Sequence, residues 1–202
     1  MVAPMVTGVV ALISGKYPTL LPAQIKSAIL CGVDTYAAFN GYCVTGGRLN
    51  AYKSLQLAGN CYTIDTSKNW IKKIEPGTAV VDFKPQMRAT STAYNTEVVV
   101  RKGGSSGAIK TSGAIATGDD VQVKNGAANA GTYTVRIRGD ASADGYIDID
   151  DTLVVREVMF GTTTLTGVRK EAADANRDGR IDIDDTLIIR DHMFGYVLIN
   201  QN

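Results

Sequence analysis

The chain is poor in histidine and cysteine, has almost no net charge and contains no long apolar run. One histidine, His192, serves 202 residues. The three cysteines, Cys31, Cys43 and Cys61, are odd in number and form no C-x-x-C pair, which argues against a zinc centre or a thioredoxin-like site. One disulfide plus a free thiol fits that count, and the spacing does not say which two would pair. No apolar stretch approaches the roughly 20 residues of a membrane helix, so no membrane span is expected. Met1-Val-Ala-Pro lacks both a basic n-region and a cleavage motif, so no signal peptide is legible. What is present suffices for packed cores. Hydrophobic residues make up 45%, and the length allows one large domain or two to three small ones.

The net charge of +1 conceals an asymmetry. Residues 140–192 carry 13 acidic and 6 basic side chains, and residues 1–139 carry 7 and 15. The basic residues are dispersed singly, as on a solvated surface, so no nucleic-acid partner is expected. The acidic ones are ordered. Asp140-Ala-Ser-Ala-Asp144-Gly-Tyr-Ile-Asp-Ile-Asp-Asp151 returns 34 residues later as Asp174-Ala-Asn-Arg-Asp178-Gly-Arg-Ile-Asp-Ile-Asp-Asp185. Oxygen-bearing side chains fall at positions 1, 3, 5, 9 and 12 of each copy, with Gly at 6. That is the spacing of an EF-hand calcium loop, in which Gly takes a φ > 0 turn. Two calcium ions are therefore expected. The first would take Asp140, Ser142, Asp144, the Tyr146 carbonyl, Asp148 through water, and Asp151. The second would take Asp174, Asn176, Asp178, the Arg180 carbonyl, Asp182 and Asp185. Ser142 stands where Asn or Asp is usual, so the first site is expected to be the weaker. An apolar run at helical spacing follows each loop, through Leu153, Val154, Val155, Val158 and Met159, then through Leu187, Ile188, Ile189, Met193 and Phe194. Each run ends at a glycine, Gly161 or Gly195, as at a helix C-cap.

Upstream, residues 1–13 are apolar almost all round, with small residues at Ala3, Gly8 and Ala11. The pattern predicts a buried helix, and Pro4 places its start at or just before Met1. From about residue 60 to 139 the chain is predicted to be β-rich, with strands at 98–101, 121–124 and 132–138; the last alternates Tyr133, Val135 and Ile137 with polar neighbours. Residues 103–107 and Asn125-Gly126 are turn signals, and residues 80–85 predict one short helical turn. Trp70 and Ile74 are candidates to anchor a small core. Gly103-Gly-Ser-Ser-Gly107 lacks the Lys-Ser/Thr of a phosphate loop. Tyr62, Trp70, Tyr94 and Tyr133 read as core rather than as a sugar platform.

Three resemblances follow. Met1, Ala3, Pro4, Thr7 and Gly8 fit the pattern that follows the nucleophile in the Gly-Thr-Ser motif of the subtilisin-like serine proteases; Val2 departs where Ser or Ala is usual. Residues 16–30 and 46–55 resemble the next and the closing helices of that family. The resemblance covers residues 1–58 and implies a truncated piece of an α/β peptidase domain, with the catalytic serine one residue before Met1 and Asp and His further upstream. Protein substrates would then belong to the parent. The chain itself would lack the triad and could not cut peptides by that mechanism.

Residues 61–138 resemble the small β-modules that precede dockerins in extracellular proteins of anaerobic Gram-positive bacteria. Residues 72–78, Asp82-Phe83, 117–123 and 133–135 carry that likeness. Residues 139–202, with loop then helix twice and Asp at position 12, resemble a type I dockerin, an all-α module. That likeness implies a cohesin partner on a scaffold or cell-surface protein and an extracellular or cell-surface location. It also implies partner-reading residues at Ile149, Asp150, Arg156, Glu157 and Gly161 and at Ile183, Asp184, Arg190, Asp191 and Gly195. The two faces are nearly equivalent, which would permit docking in either of two orientations; equivalence from internal packing is the other reading. The expected architecture is thus multidomain: truncated peptidase helices, β-rich spacer, dockerin. A non-catalytic calcium-dependent anchoring module with a relic protease segment is the alternative, and a calcium-stabilised spacer without a partner is a third.

Overall fold

The computed structural model describes residues 3–39, 42–43, 45–59, 62–90, 97–125 and 128–202. The chain is a mixture of helices and sheets. It divides into two compact units. The first comprises Met1–Tyr62, Asp82–Val98 and Val123–Ala130; the second comprises Thr63–Val81, Val99–Gln122 and Gly131–Asn202. This division does not follow the sequence ranges 61–138 and 139–202, because 63–81 and 99–122 pack into the same unit as the duplicated loops.

In the first unit, α1 (Ala3–Lys16), α2 (Pro22–Cys31) and α3 (Ala51–Gly59) enclose a small core of Val9, Ile13, Ile25, Ala28, Ile29 and Ala58. Pro4 sits in the first turn of α1, where its missing N–H costs nothing. Met1 and Val2 lie outside the described residues. The expectation of a wholly buried α1 is corrected. Only Val9 and Ile13 are buried, while Met5, Val10 and Leu12 are exposed, because α2 and α3 cover one stripe of a helix that is apolar on every side. The closing helix starts later than residue 46, since Gly47–Arg48 forms strand β2 antiparallel to β1 (Asp34–Thr35). Asp34 holds this corner together by accepting from Asn50 Nδ2 at 3.1 Å and Lys53 Nζ at 2.6 Å. The short turn expected at 80–85 is instead a full helix, α3's successor α4 (Val80–Thr90), carrying Pro85 in its interior. Phe83 and Met87 are buried on it, and the Tyr62 ring stacks on Phe83 at 5.0 Å. Tyr62 is thus core, as read. Cys31 and Cys43 are free thiols; Cys61 and Tyr94 lie outside the described residues.

Most of a five-stranded sheet belongs to the second unit, in the order β3 (Thr63–Asp65), β4 (Trp70–Lys72), β7 (Ala128–Val135), β6 (Asp120–Asn125), β5 (Glu97–Arg101). β3 and β4 form an antiparallel hairpin, and β4 runs parallel to β7 with Ile71 opposite Val135. Ile71, Ile74, Val100, Ile115, Val121, Val135 and Ile137 are fully buried or nearly so. Ile74 therefore anchors this core as expected, whereas Trp70 is half-buried with Lys68 Nζ 4.5 Å above its ring. Beyond the sheet come α5 (Ile149–Met159), α6 (Gly167–Ala173) and α7 (Ile183–Met193). α5 packs on α7 around Ala141, Val155, Leu165, Ala173, Ala175, Ile189 and Ile199. α6 was not legible in the sequence. No helix among the described residues is long and apolar enough to cross a membrane.

Candidate metal-binding loops and docking face

Each acidic loop is held by its own side chains, and the two copies use the same pattern. Asp140, at position 1, accepts from Asp144 N at 3.0 Å and Gly145 N at 3.2 Å; Asp174 accepts from Gly179 N at 3.0 Å. Position 5 accepts from the N–H of position 7, Tyr146 N to Asp144 and Arg180 N to Asp178, both at 2.8 Å. Position 12 reaches back across the loop. Asp151 accepts from Ser142 N at 2.9 Å and Asp148 N at 2.8 Å, and Asp185 from Asn176 N at 3.1 Å and Asp182 N at 3.0 Å. Short polar side chains bonding to nearby backbone are what bend a chain this tightly. Position 6 needs glycine, since Gly145 and Gly179 sit at φ +95° and +87°.

The same residues launch the helices. Asp148 and Asp182 are N-caps, accepting from Asp150 N and Asp184 N at 2.9 and 3.0 Å, and each forms a capping box with the Asp three residues on. One carboxylate thus serves loop and helix together. At the far ends Gly161 and Gly195 take φ +70° and +72°, the left-handed C-cap that the sequence suggested.

Electrostatics make these loops costly without a cation. Asp140, Asp151 and Asp185 are all 0% exposed. Burial pushes the Asp151 carboxyl up to about 7, and the neighbouring charge of Asp140 adds to the rise. Burial likewise raises Asp185, with Asp174 adding to it, and burial raises Asp140. Asp174 Oδ1 is buried without a hydrogen-bond partner, and a buried anionic oxygen left so is expensive.

No three His, Cys, Asp or Glu side chains stand together as a closed cage among the described residues, the carboxylates being turned to backbone N–H groups. The donors such a loop offers are not carboxylates alone. Ser142 or Asn176 and the carbonyls of Tyr146 or Arg180 are oxygens of the same hard type. An all-oxygen set with an orphaned buried carboxylate oxygen fits a hard cation such as calcium, and calcium would supply the positive charge those oxygens lack.

The residues read as partner-facing lie mainly at the surface. Ile149 and Ile183 are 58% and 52% exposed, and Asp150, Arg156, Glu157, Asp184 and Arg190 are exposed; Asp191 is half-buried and pairs with Arg190 at 2.7 Å. The apolar residues of the two helical runs divide between core and surface. Val155 and Ile189 are buried, but Leu153, Met159, Leu187, Met193 and Phe194 are exposed, as is Phe160. Ile149, Leu153 and Phe160 recur as Ile183, Leu187 and Phe194 at helical spacing, so each helix presents an apolar stripe flanked by its Arg–acid pair. Past the helices the copies diverge. Thr162 N and Thr163 N bond to Glu157 O just as Tyr196 N and Val197 N bond to Asp191 O, so Tyr196 and Val197 replace threonines. His192, the sole histidine, accepts the Ile199 N–H at 3.1 Å, a structural role.

No curated protein and no solved structure matches the chain. The family described as Dockerin type I domain matches residues 138–193, which span both acidic loops and all three following helices. That family binds calcium in general and implies a cohesin partner; residues 138–193 of this chain are a dockerin type I domain.

Proposed function

We propose that the chain is the docking end of an extracellular or cell-surface protein, holding two calcium ions and attaching whatever it is joined to onto a cohesin module. The observation that carries this reading is the duplicated loop, in which ten side-chain donors recur in register with both glycines at positive φ. The first ion is assigned to Asp140, Ser142, Asp144, Tyr146, Asp148 and Asp151, and the second to Asp174, Asn176, Asp178, Arg180, Asp182 and Asp185. Ile149, Asp150, Arg156 and Glu157 form one docking face and Ile183, Asp184, Arg190 and Asp191 the other. Either face engages the same partner with the domain turned over, because both offer an isoleucine, an aspartate and an Arg–acid pair. Dockerin modules occur in extracellular and cell-surface proteins, and an anaerobic Gram-positive bacterium is the source we assign. The division into 1–58, 61–138 and 139–202 remains our proposal for the evolutionary modules.

For residues 1–58 we propose the closing helices of a subtilisin-like peptidase domain. What supports it is the residue pattern around Pro4 together with an α1 whose apolar side chains Met5, Val10 and Leu12 face outward, as expected of a helix suited to burial. The genomic frame upstream of Met1 tests that part. Gly-Thr-Ser running into Met1, with Asp and His motifs before it, would support the peptidase; a stop codon would leave an anchoring module.

Docking itself is tested by native electrophoresis of the full chain mixed with a type I cohesin. A shifted complex in calcium that is lost in chelator is the expected result. No complex with any type I cohesin would overturn the docking proposal.

A further inference from the structure

The two acidic loops repeat in sequence, but their surroundings do not. Loop 1 is seated on the β-rich part of its own unit. Thr117 N donates to Asp140 Oδ2 at 2.8 Å, a bond reaching 23 residues back from position 1 of the loop. Gly77 N donates to the Gly145 carbonyl at 2.7 Å, and the Tyr146 ring lies against Gly77. A Cβ added at Gly145 would fall 2.2 Å from the Ile115 carbonyl, whereas one at Gly179 would meet nothing within 4 Å. Thr117 Oγ1 meanwhile bonds both Ile137 N and Ile137 O at 3.1 Å, which ties the turn to the segment leading into Asp140. All of these residues are in one compact unit. Among the described residues the corresponding position-1 carboxylate of loop 2 has no such donor, and Asp174 Oδ1 is left without a partner.

We infer that the β-rich segment is part of the first calcium site, with the backbone N–H of Thr117 acting as the positioning group for Asp140. This rests on the assignment of calcium to the loops. An N–H aimed at one carboxylate oxygen fixes the rotation of that carboxylate, leaving its other oxygen turned into the loop, where it accepts from Asp144 N. The support offsets what loop 1 loses by having Ser142 where loop 2 has Asn176. Loop 2 must orient Asp174 without it. The two sites therefore differ in how the position-1 carboxylate is held: Asp140 takes a donor from outside the repeat, whereas the Asp174 carboxylate takes Gly179 N of its own loop, and Arg138 reaches only the Asp174 main-chain carbonyl.

The local geometry provides a clean test. Asp119 N bonds to Ala116 O at 3.1 Å and Gly118 sits at φ +88°, so residues 116–119 form a type II turn with Thr117 at its second position. Proline is favoured at that position. Thr117→Pro thus keeps the turn while deleting the N–H that reaches Asp140. Thr117→Val deletes only the hydroxyl and serves as its control. In the full chain, calcium titration followed by amide NMR separates the sites, because Gly145 N–H reports loop 1 and Gly179 N–H reports loop 2.

Relative to Thr117→Val, Thr117→Pro should weaken the Gly145-reported site about tenfold or more, the range for a hydrogen bond to a charged group. The Gly179-reported site should change less than twofold. Equal affinities in the two variants at Gly145, or equal losses at both glycines, would overturn the inference. If neither glycine amide responds to calcium in the unsubstituted chain, the calcium assignment itself fails, a separate outcome.

Discussion

Adding a calcium chelator is expected to abolish the helical circular dichroism of α5, α6 and α7 while sparing that of α1 to α4. About two fifths of the helical residues described lie in those three helices, so the loss would be large. The reason is the poverty of their core. Its buried cluster is Ala141, Val155, Leu165, Ala173, Ala175, Ile189 and Ile199, and three of those seven are alanines. Small domains with so little apolar burial commonly depend on a metal or a covalent staple. Free calcium at a thousandfold excess over its dissociation constant adds about 4 kcal/mol for each site. Folded domains are stable by only about 5–15 kcal/mol in total. Without the cations the buried carboxylates Asp140, Asp151 and Asp185 also repel or must take up protons, so the metal-free loops lose on both counts. Because Asp148 and Asp182 cap the same helices that the loops feed, a slack loop also uncaps its helix. Unchanged ellipticity between 200 and 230 nm in chelator would contradict this coupling.

A second large effect is expected at the docking faces, and it should be non-additive. On the proposed two-orientation docking, Ile149→Asp alone, or Ile183→Asp alone, should remove one of two nearly equivalent orientations. Halving the number of equal binding modes costs about 0.4 kcal/mol, or about twofold in affinity. The double variant should lose about thirtyfold or more, because a central apolar anchor is worth at least about 2 kcal/mol and no intact face remains. Calorimetry of the three variants against one type I cohesin reads the pattern directly. If one single substitution proves as damaging as the pair, then a single orientation carries binding. The divergence of Thr162 and Thr163 from Tyr196 and Val197 marks the second copy as the larger apolar surface, so that result would be expected to appear at Ile183.

The acidic loops and their exit helices were legible because their information is local. Carboxylates at fixed spacing, Gly145 and Gly179, and the terminal glycines Gly161 and Gly195 each act within a few residues of themselves. The sheet was legible in part for the same reason, and the alternation around Val135 and Ile137 marks the end of β7 and its exit, where both side chains are fully buried. Three features escaped. α6 is only seven residues long and opens on Gly167, too short for an apolar period to declare it. The extent of α4 was hidden by Pro85, which reads as a helix breaker and here lies inside one. The seat of loop 1 on Thr117 and Gly77 involves backbone N–H groups, which every residue but proline possesses and no motif announces.

Burial was the least legible quantity. Leu153 and Leu187 look like core in a helical run, yet they are exposed beside Val155 and Ile189, because α5 and α7 cover only one face of each other. The C-terminal segment shows the opposite. Gln201 is polar but buried, its side chain bonding Arg138 N at 2.7 Å and Arg138 O at 2.9 Å, and its carbonyl accepting from Lys73 N and Arg136.

The account stands on the repeat being a pair of calcium sites, and counting bound ions tests that most directly. Equilibrium dialysis of the chelator-stripped full chain against calcium should give two ions per chain. Asp151→Ala and Asp185→Ala should each reduce the count to one. A count of zero in the unsubstituted chain, or two ions retained in either variant, would contradict it.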